Sequence, residues 1–485
     1  MTILAIDAGT TGVTALLVDE QGKVVARGYQ EFEQHYPQPG WVEHDPEQIW
    51  QATLAACGQV LASGVRPVCV GVTNQRETVV VWDKQTLRSP IRAIVWQDRR
   101  TADLLSDSRF SSAASSVYAT TGLPLDPYFS SSKLLWIKRN HPELWPGVEA
   151  GNVVVGTVES YLVARLSGGR SHITDASNAS RTQLYNLHTG DWDDSLLELF
   201  EVPRAALPTI VSNYGKLATT FGLTFFDLEI PISGLAGDQQ AALFGQGAVS
   251  AGASKCTYGT GAFLLVNTGS SVVASRFGLL STVAWQHPDG SREYALEGSV
   301  FVAGAAVQWL RDGLGIISSA DEVEALASLV PDSGGVSFVP ALTGIGAPIW
   351  NASATGLLQG ITRGTTKAHI ARATLEGIAY QVTLVADSMA QDLGHDLASL
   401  RVDGGAAANN LLMQMQADQL QVTVERAEVL DSTAYGAALL AGLGVGIWSS
   451  VEEVASLNRV RTRFTPGVVD EDAAARWLAA LRLQS

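Results

Sequence analysis

At 485 residues the chain is too long for one ordinary core, so two large lobes, or three domains at most, are expected, and a hydrophobic content of 46% suffices to fold them. A formal net charge of −16, with no run rich in Lys or Arg, argues against nucleic acid and anionic membrane surfaces as partners, and an anionic cosubstrate would need local cations, backbone amides or a metal. The three cysteines, Cys57, Cys69 and Cys256, are scattered and odd in number, which speaks against a disulfide framework or a zinc site and for a reducing compartment.

The N-terminus enters a strand without a basic region or cleavage motif, and no apolar run reaches the roughly 18 residues of a membrane span, so a cytoplasmic protein with no membrane insertion is expected. Residues 3–22, ILAIDAGTTGVTALLVDEQG, set two apolar runs around Gly9, Thr10 and Thr11. The cluster matches neither GxxxxGK[ST] nor GxGxxG, and β-branched residues follow it, so the stretch predicts a hairpin with Asp7 at the end of its first strand. Such a tip serves either as a phosphate cradle or as an ordinary turn. Strands are then expected at 68–72, 79–82, 93–95 and 153–155, and helices at 46–61, 132–140 and 195–200, the alternation of an α/β chain. Before the helix at 46–61, Asp45 is placed to cap, Pro46 suits the first position, and Gln48 stands where a capping box wants an amide. WVEH, residues 41–44, then reads as a loop, with His44 making structural hydrogen bonds.

Near residue 255 the opening pattern returns. KCTYGTGAFLLVNTG, residues 255–269, again has a polar strand end, a tip at Gly259, Thr260 and Gly261, and an apolar run. A weak repeat half a chain apart suggests two related lobes, and two facing tips would hold a polyphosphate between them. Helices are expected at 304–310, 321–329, 368–389 and 409–420, with strands at 336–339 and 400–402. Residues 434–448, AYGAALLAGLGVGIW, suit close packing in a core or near a ligand, and the tail from 462 reads as a short strand and a closing amphipathic helix.

Three stretches offer chemistry. GVTNQRETVVVWD, residues 71–83, puts Arg76 and Glu77 between strands where a plain turn prefers Gly, Asn or Asp; the pair would either hold neighbouring hydroxyls of a polyol or form an exposed ion pair of little worth. PISGLAGDQQAALFGQGAV, residues 231–249, runs from strand through Asp238 into a helix, so Asp238 is either the helix cap or a carboxylate that takes a hydroxyl proton. LRVDGGAAANN, residues 400–410, has a turn that lets backbone approach a flat or anionic ligand. Trp96, Tyr128 and Phe263 stand near these loops. Phosphate tips, an acid after a strand and an Arg-Glu pair together describe a kinase of a small polyol. The eight histidines have no zinc-ligand spacing, and Asn178-Ala179-Ser180 reads as a chance glycosylation triplet.

In these stretches, and in FEQHYPQPGWVEHDPEQIW, AIVWQDRRTA, TGLPLDPYFSSSK, DASNASRT, TYGTGAF and YALEGSVFVAGAAVQWLRD, the sequence resembles the FGGY carbohydrate kinases, most closely the branch acting on glycerol, from the first strand to about Pro466. The resemblance implies two ribonuclease-H-like lobes of the actin and Hsp70 type, residues 1–245 and 246–485, with ATP and the polyol in the cleft between them. It places Gly9, Thr10 and Thr11 against the nucleotide phosphates, with Gly259, Thr260 and Gly261 opposite. Arg76, Glu77, Tyr128 and Asp238 would hold glycerol's hydroxyls, with Gln239 nearby, and Trp96 and Phe263 would cover its carbons. Asp238 would be the general base and Asp7 would help place Mg²⁺ through water. Gly304, Gln308, Gly405 and Asn409 match positions lining the nucleoside pocket. The implied reaction is attack of a terminal hydroxyl on the γ-phosphate, giving sn-glycerol 3-phosphate and ADP. Relatives form dimers and tetramers, so a homodimer or homotetramer is expected.

Two positions depart from the family. Ala8 stands where members acting on glycerol commonly have Gln, and Thr14 where many have an Arg near the phosphates, a charge that a hydroxyl does not replace. The loop TFFDLE, residues 224–229, lacks the glycines and lysine that some relatives use for an anionic effector. The competing readings are a kinase of the same family for erythritol or a pentulose, an actin-like nucleotide switch, and a sugar-binding regulator without catalysis; the bulky aromatics favour a three-carbon substrate.

Overall fold

The computed structural model describes residues 1–351 and 353–484. The first of two large mixed sheets contains β1 (Thr2–Ala8), β2 (Gly12–Asp19), β3 (Val24–Glu31), β4 (Cys69–Asn74), β5 (Tyr214–Thr219) and β6 (Pro231–Gly237), in the order β5-β6-β4-β1-β2-β3. The second contains β7 (Ser254–Tyr258), β8 (Ala262–Gly269), β9 (Leu280–Gln286), β10 (Arg292–Val300), β11 (Ser399–Asp403), β12 (Thr423–Ala427) and β13 (Val460–Phe464), in the order β9-β10-β8-β7-β11-β12-β13. In each, an antiparallel hairpin with a glycine at its tip is continued by two parallel strands and closed by an antiparallel edge strand. The repeat suggested by the two Gly-Thr tips is therefore a repeat of pairing order, and the chain is a two-lobed α/β protein.

The helices that matter to the site are α1 (Pro46–Leu61), α2 (Asp238–Gly245), α3 (Gly304–Asp312), α4 (Lys367–Leu393), α5 (Asn410–Leu420) and α6 (Ser432–Gly444). Strand β1 is buried on both faces: Leu4 and Ile6 pack with Ile49 and Trp50 of α1, whereas Ile3 and Ala5 pack with Ala437 and Leu440 of α6. Asp45 caps α1 as expected, accepting from the Glu47 amide at 2.8 Å, but Gln48 closes no capping box; its Oε1 accepts from the Glu33 amide at 3.3 Å. WVEH is not wholly a loop either. Glu43–His44 pairs with Ala93–Ile94, because Asp98 accepts the Val42 amide at 2.6 Å and holds the segment against its partner strand. His44 is structural: it is fully buried, bonds Gln34 at 2.6 Å and Gln75 at 3.2 Å, and burial pulls its pKa down to about 3.

The small residues of α6 serve close packing. This helix, from the second half of the chain, lies on β4 and β6 of the first sheet and crosses α2. A Cβ on Gly436 would stand 1.9 Å from the Ala241 carbonyl oxygen, and one on Gly71 of β4 would stand 2.1 Å from that of Ala437. Gly436→Ala is expected to lower stability by at least about 1–3 kcal/mol, because the obstructing atom is buried helix backbone rather than the end of a flexible side chain. A denaturant midpoint equal to wild type would show that the two helices can separate freely.

Asn178 is fully buried, bonded to Asn74 and Asp175, and so is closed to glycosylation in the folded chain. The three cysteines are free and buried. Among the described residues no helix is long and apolar enough to cross a membrane.

Candidate active site

Parallel strands bring their carboxyl ends to one edge of a sheet, where ligands of open α/β sheets collect. In the first sheet Asp7 is level with Thr73, and Asn74 with Gly237, so the first hairpin tip, the Gln75-Arg76-Glu77 turn and Asp238 emerge together. In the second, Thr257 is level with Asp403, which brings the second tip beside the Gly404-Gly405 turn.

Arg76 and Glu77 are not an exposed ion pair: each side chain is only 2% accessible, and the distance between their charged groups is 4.0 Å. Each is engaged elsewhere. Arg76 Nη1 and Nη2 fork onto Glu297 at 2.5 and 2.9 Å, and its Nε faces Asp238 Oδ1 at 3.1 Å. Glu77 has a left-handed φ of 60°, the kind of backbone strain that surrounding structure must hold in place, and its carboxylate accepts from Arg181 Nε at 2.6 Å. Burial would raise the Glu297 carboxyl, but the guanidiniums of Arg181 and Arg76 outweigh it and hold the pKa at about 2.

Asp238 is the first residue of α2, with Gly237 at the cap position, so capping is not what the carboxylate is for. Its Oδ1 accepts the Gln239 amide at 2.7 Å. Burial raises its pKa against the pull of Arg76 and Lys255. Gln239 accepts at 2.5 Å from Lys255, which also donates to Thr257 Oγ1 at 3.0 Å and whose own pKa is lowered by burial. Beside them, burial and the neighbouring Asp238 and Asp431 carboxylates push Asp7 up to about 8, and its Oδ1 is buried with no hydrogen-bond partner among the described residues. Thr14 lies directly across the hairpin from Asp7 and Ala8 across from Val13, both largely buried, so neither supplies a positive group.

An aromatic wall stands beside the Arg76-Glu77 cluster, where Tyr128 lies within electrostatic reach of Arg76, Glu77 and Glu297. The Trp96 ring meets Tyr128 and Phe263 edge-on, at centroid distances of 5.6 and 6.4 Å, so the second lobe contributes one side of it. Trp96 Nε1 donates to Thr10 Oγ1 at 3.0 Å, tying the wall to the first tip. Buried Lys133 fixes the Tyr128 segment by donating to the carbonyls of Pro127, Tyr128 and Phe129 at 2.6, 2.7 and 3.1 Å.

At the second edge, Gly304 at the start of α3 donates to the Gly259 carbonyl at 3.0 Å, and the Ala303 and Ala305 amides donate to that of Thr260 at 2.8 and 3.0 Å. A Cβ on Gly304 would lie 2.5 Å from the Gly259 oxygen, whereas one on Gly405 would face open space. Gly261 is buried beneath the exposed Gly259 and Thr260, and Gln308 lies on the exposed side of α3. Asn409 caps α5, accepting from the Leu412 amide at 2.9 Å, a structural duty its expected place in a nucleoside pocket does not include.

Sequence reasoning missed Arg181, Lys255 and Glu297. The available signal was a charged residue within a strand, Glu297 in REYALEGSV and Lys255 in SKCTY, both fully buried here.

Residues 2–245 match the N-terminal domain, and residues 254–445 the C-terminal domain, of the FGGY family of carbohydrate kinases. The chain is 51% identical over 490 residues to a glycerol kinase of Burkholderia pseudomallei, covering 99% of this chain and 97% of the relative. It is 52% identical over 477 residues to one of Dechloromonas aromatica, covering 98% and 95%. Among solved structures, glycerol kinase of Plasmodium falciparum with ADP superposes with a TM-score of 0.92 at 36% identity, covering 100% of this chain and 98% of that one. A ligand-bound xylulose kinase from Lactobacillus acidophilus, at 22% identity and a TM-score of 0.86 over 100% of this chain and 96% of that one, shares the fold. Two matching domains and half-identical relatives of full length place the chain in the FGGY family of carbohydrate kinases.

Proposed function

We propose that the protein transfers the γ-phosphoryl group of ATP to a terminal hydroxyl of glycerol, giving sn-glycerol 3-phosphate and ADP, in the cleft between lobes at 1–245 and 246–485. The observation that carries this reading is the 3.1 Å contact of Asp238 with Arg76 beside the wall of Trp96, Tyr128 and Phe263. A carboxylate, a guanidinium and bulky rings suit a short polyhydroxy chain, and the full-length relatives named glycerol kinase support the three-carbon member.

Arg76, Glu77, Tyr128, Asp238 and Gln239 hold the hydroxyls in this reading, and Trp96 and Phe263 cover the carbons. Asp238 accepts the proton of the attacking hydroxyl. Gly9, Thr10 and Thr11 face the phosphates from one lobe and Gly259, Thr260 and Gly261 from the other, while Gly304, Gln308, Gly405 and Asn409 line the nucleoside side. Phosphoryl transfer asks the protein for alignment and charge more than for covalent chemistry, so a cleft that excludes water protects ATP from hydrolysis.

Mg²⁺ fits beside Asp7, whose buried Oδ1 lacks a partner among the described residues, in a corner it shares with Asp238 and Asp431. Among the described residues no group of three or more His, Cys, Asp or Glu is set to hold a metal, which suits an ion carried by one carboxylate, water and substrate phosphates. When bound, that ion neutralises charge on the phosphates.

The test is ATP consumption by purified protein with glycerol, erythritol, xylulose, ribulose or no acceptor, with the product identified. Glycerol-dependent formation of glycerol 3-phosphate is expected. Phe263→Ala, run in parallel, is expected to cut the preference for glycerol over erythritol by about tenfold or more, because it removes one wall of the pocket. Acceptor-independent hydrolysis alone would refute the reading in favour of a nucleotide switch.

A further inference from the structure

We propose that Glu297, reaching from the second-lobe sheet into the first lobe, is the positioning residue that sets Arg76 and Glu77 for the polyol; this rests on the reading above. Glu297 lies in the buried strand β10, level with Leu265 of β8 and Leu280 of β9. A carboxylate among such neighbours is costly unless both oxygens are paired. Both are. Oε2 takes Arg76 Nη1 at 2.5 Å, and Oε1 takes Arg76 Nη2 at 2.9 Å and Arg181 Nη2 at 3.2 Å.

The two-point fork fixes the plane of the Arg76 guanidinium, and that plane points Nε at Asp238. Arg181 extends the same constraint to Glu77 through its Nε, so one carboxylate orients both halves of the Arg-Glu pair. Gln240 adds only one longer contact to Arg76, at 3.3 Å. The partners come from opposite lobes: Arg76, Glu77 and Arg181 follow strands or turns of the first, and Glu297 belongs to the second sheet. The first-lobe side chains assigned to the polyol are thus aligned by a residue that need not touch it.

The experiment compares wild type, Glu297→Gln, Glu297→Asp and Arg181→Lys in steady-state kinetics with each substrate varied, together with thermal unfolding. Glu297→Gln is expected to raise the KM for glycerol and lower kcat, each on the order of 10- to 100-fold, the scale of a misplaced reacting group, with the KM for ATP within about twofold of wild type. Glu297→Asp, which keeps the charge on a shorter stem, is expected to recover part of kcat. Should Glu297→Gln fail to fold, Arg181→Lys decides the matter, since a single ammonium cannot bridge Glu77 and Glu297, and a raised glycerol KM with unmoved ATP KM is again expected.

Folded variants with wild-type glycerol KM and kcat, however low their melting temperature, would overturn the proposal and leave Glu297 a structural counter-ion. Wild type that ignores glycerol but phosphorylates another polyol would refute the substrate reading only, and the same comparison on that polyol still decides the role of Glu297. Wild type that phosphorylates none of them would overturn both.

Discussion

Asp238→Asn is expected to lower kcat by roughly 10²- to 10⁴-fold, the contribution typical of a positioned general base, while the protein stays folded. The amide keeps the size of the carboxyl group and its oxygen can still accept the Gln239 amide, now bonded at 2.7 Å, so the start of α2 loses little. What disappears is the capacity to take a proton from the attacking hydroxyl. The pH dependence sharpens the test. Burial raises the Asp238 pKa, and only the ionised carboxylate works as a base, so kcat/KM in wild type is expected to fall as pH drops through a limb above the ordinary aspartate range. The Asn variant should lose that limb along with the rate. Initial rates of ADP formation between pH 5 and 9, with circular dichroism as the control for folding, measure both effects; near-normal turnover in a folded variant would remove Asp238 from the mechanism.

Much of the scaffold was legible because its signals are local. The first hairpin declares itself by two apolar runs about a Gly-Thr tip, and α1 by Asp45, Pro46 and its buried stripe. Helix Ser108–Thr121 was not legible: SRFSSAASSVYATT buries only Phe110, Val117 and Thr121, which makes almost no periodic signal. Helix Val158–Leu166 was missed for the opposite reason, since every residue in it except Arg165 is buried. The first-sheet acids and the aromatics were found as types of residue near loops, and family resemblance supplied their roles. Their partners were out of reach. Arg76 and Glu77 are adjacent in sequence and so read as partners, yet Arg76 pairs with a residue 221 positions away, and no spacing rule reports that.

Replacing Arg76 by Met tests that long-range pairing from its other end. Methionine retains most of the stem but none of the charge, so Glu297 keeps only Arg181, at 3.2 Å, and Asp238 loses its 3.1 Å ion pair. Removing one partner of a buried pair strands the other, a loss of about 3–5 kcal/mol when nothing compensates, and the remaining Arg181 should keep this case near the lower figure. Catalysis is expected to suffer as well as stability. Loss of a buried charged contact at a binding site costs about 2–5 kcal/mol, at least roughly 30-fold in kcat/KM for glycerol. A purely structural defect would leave the acid limb of the pH profile where it is. Arg76 lowers the Asp238 pKa, so its removal lets burial push that pKa further up, and the acid limb should move to higher pH, with part of the lost rate returning in alkaline buffer. Arg76→Lys should fall between the two, because one ammonium cannot serve both oxygens of Glu297 and Asp238 together. Urea midpoints and pH-rate profiles of the three proteins separate the effects: a lowered midpoint with an unmoved acid limb would confine Arg76 to structural work, whereas a limb displaced upward ties it to the base.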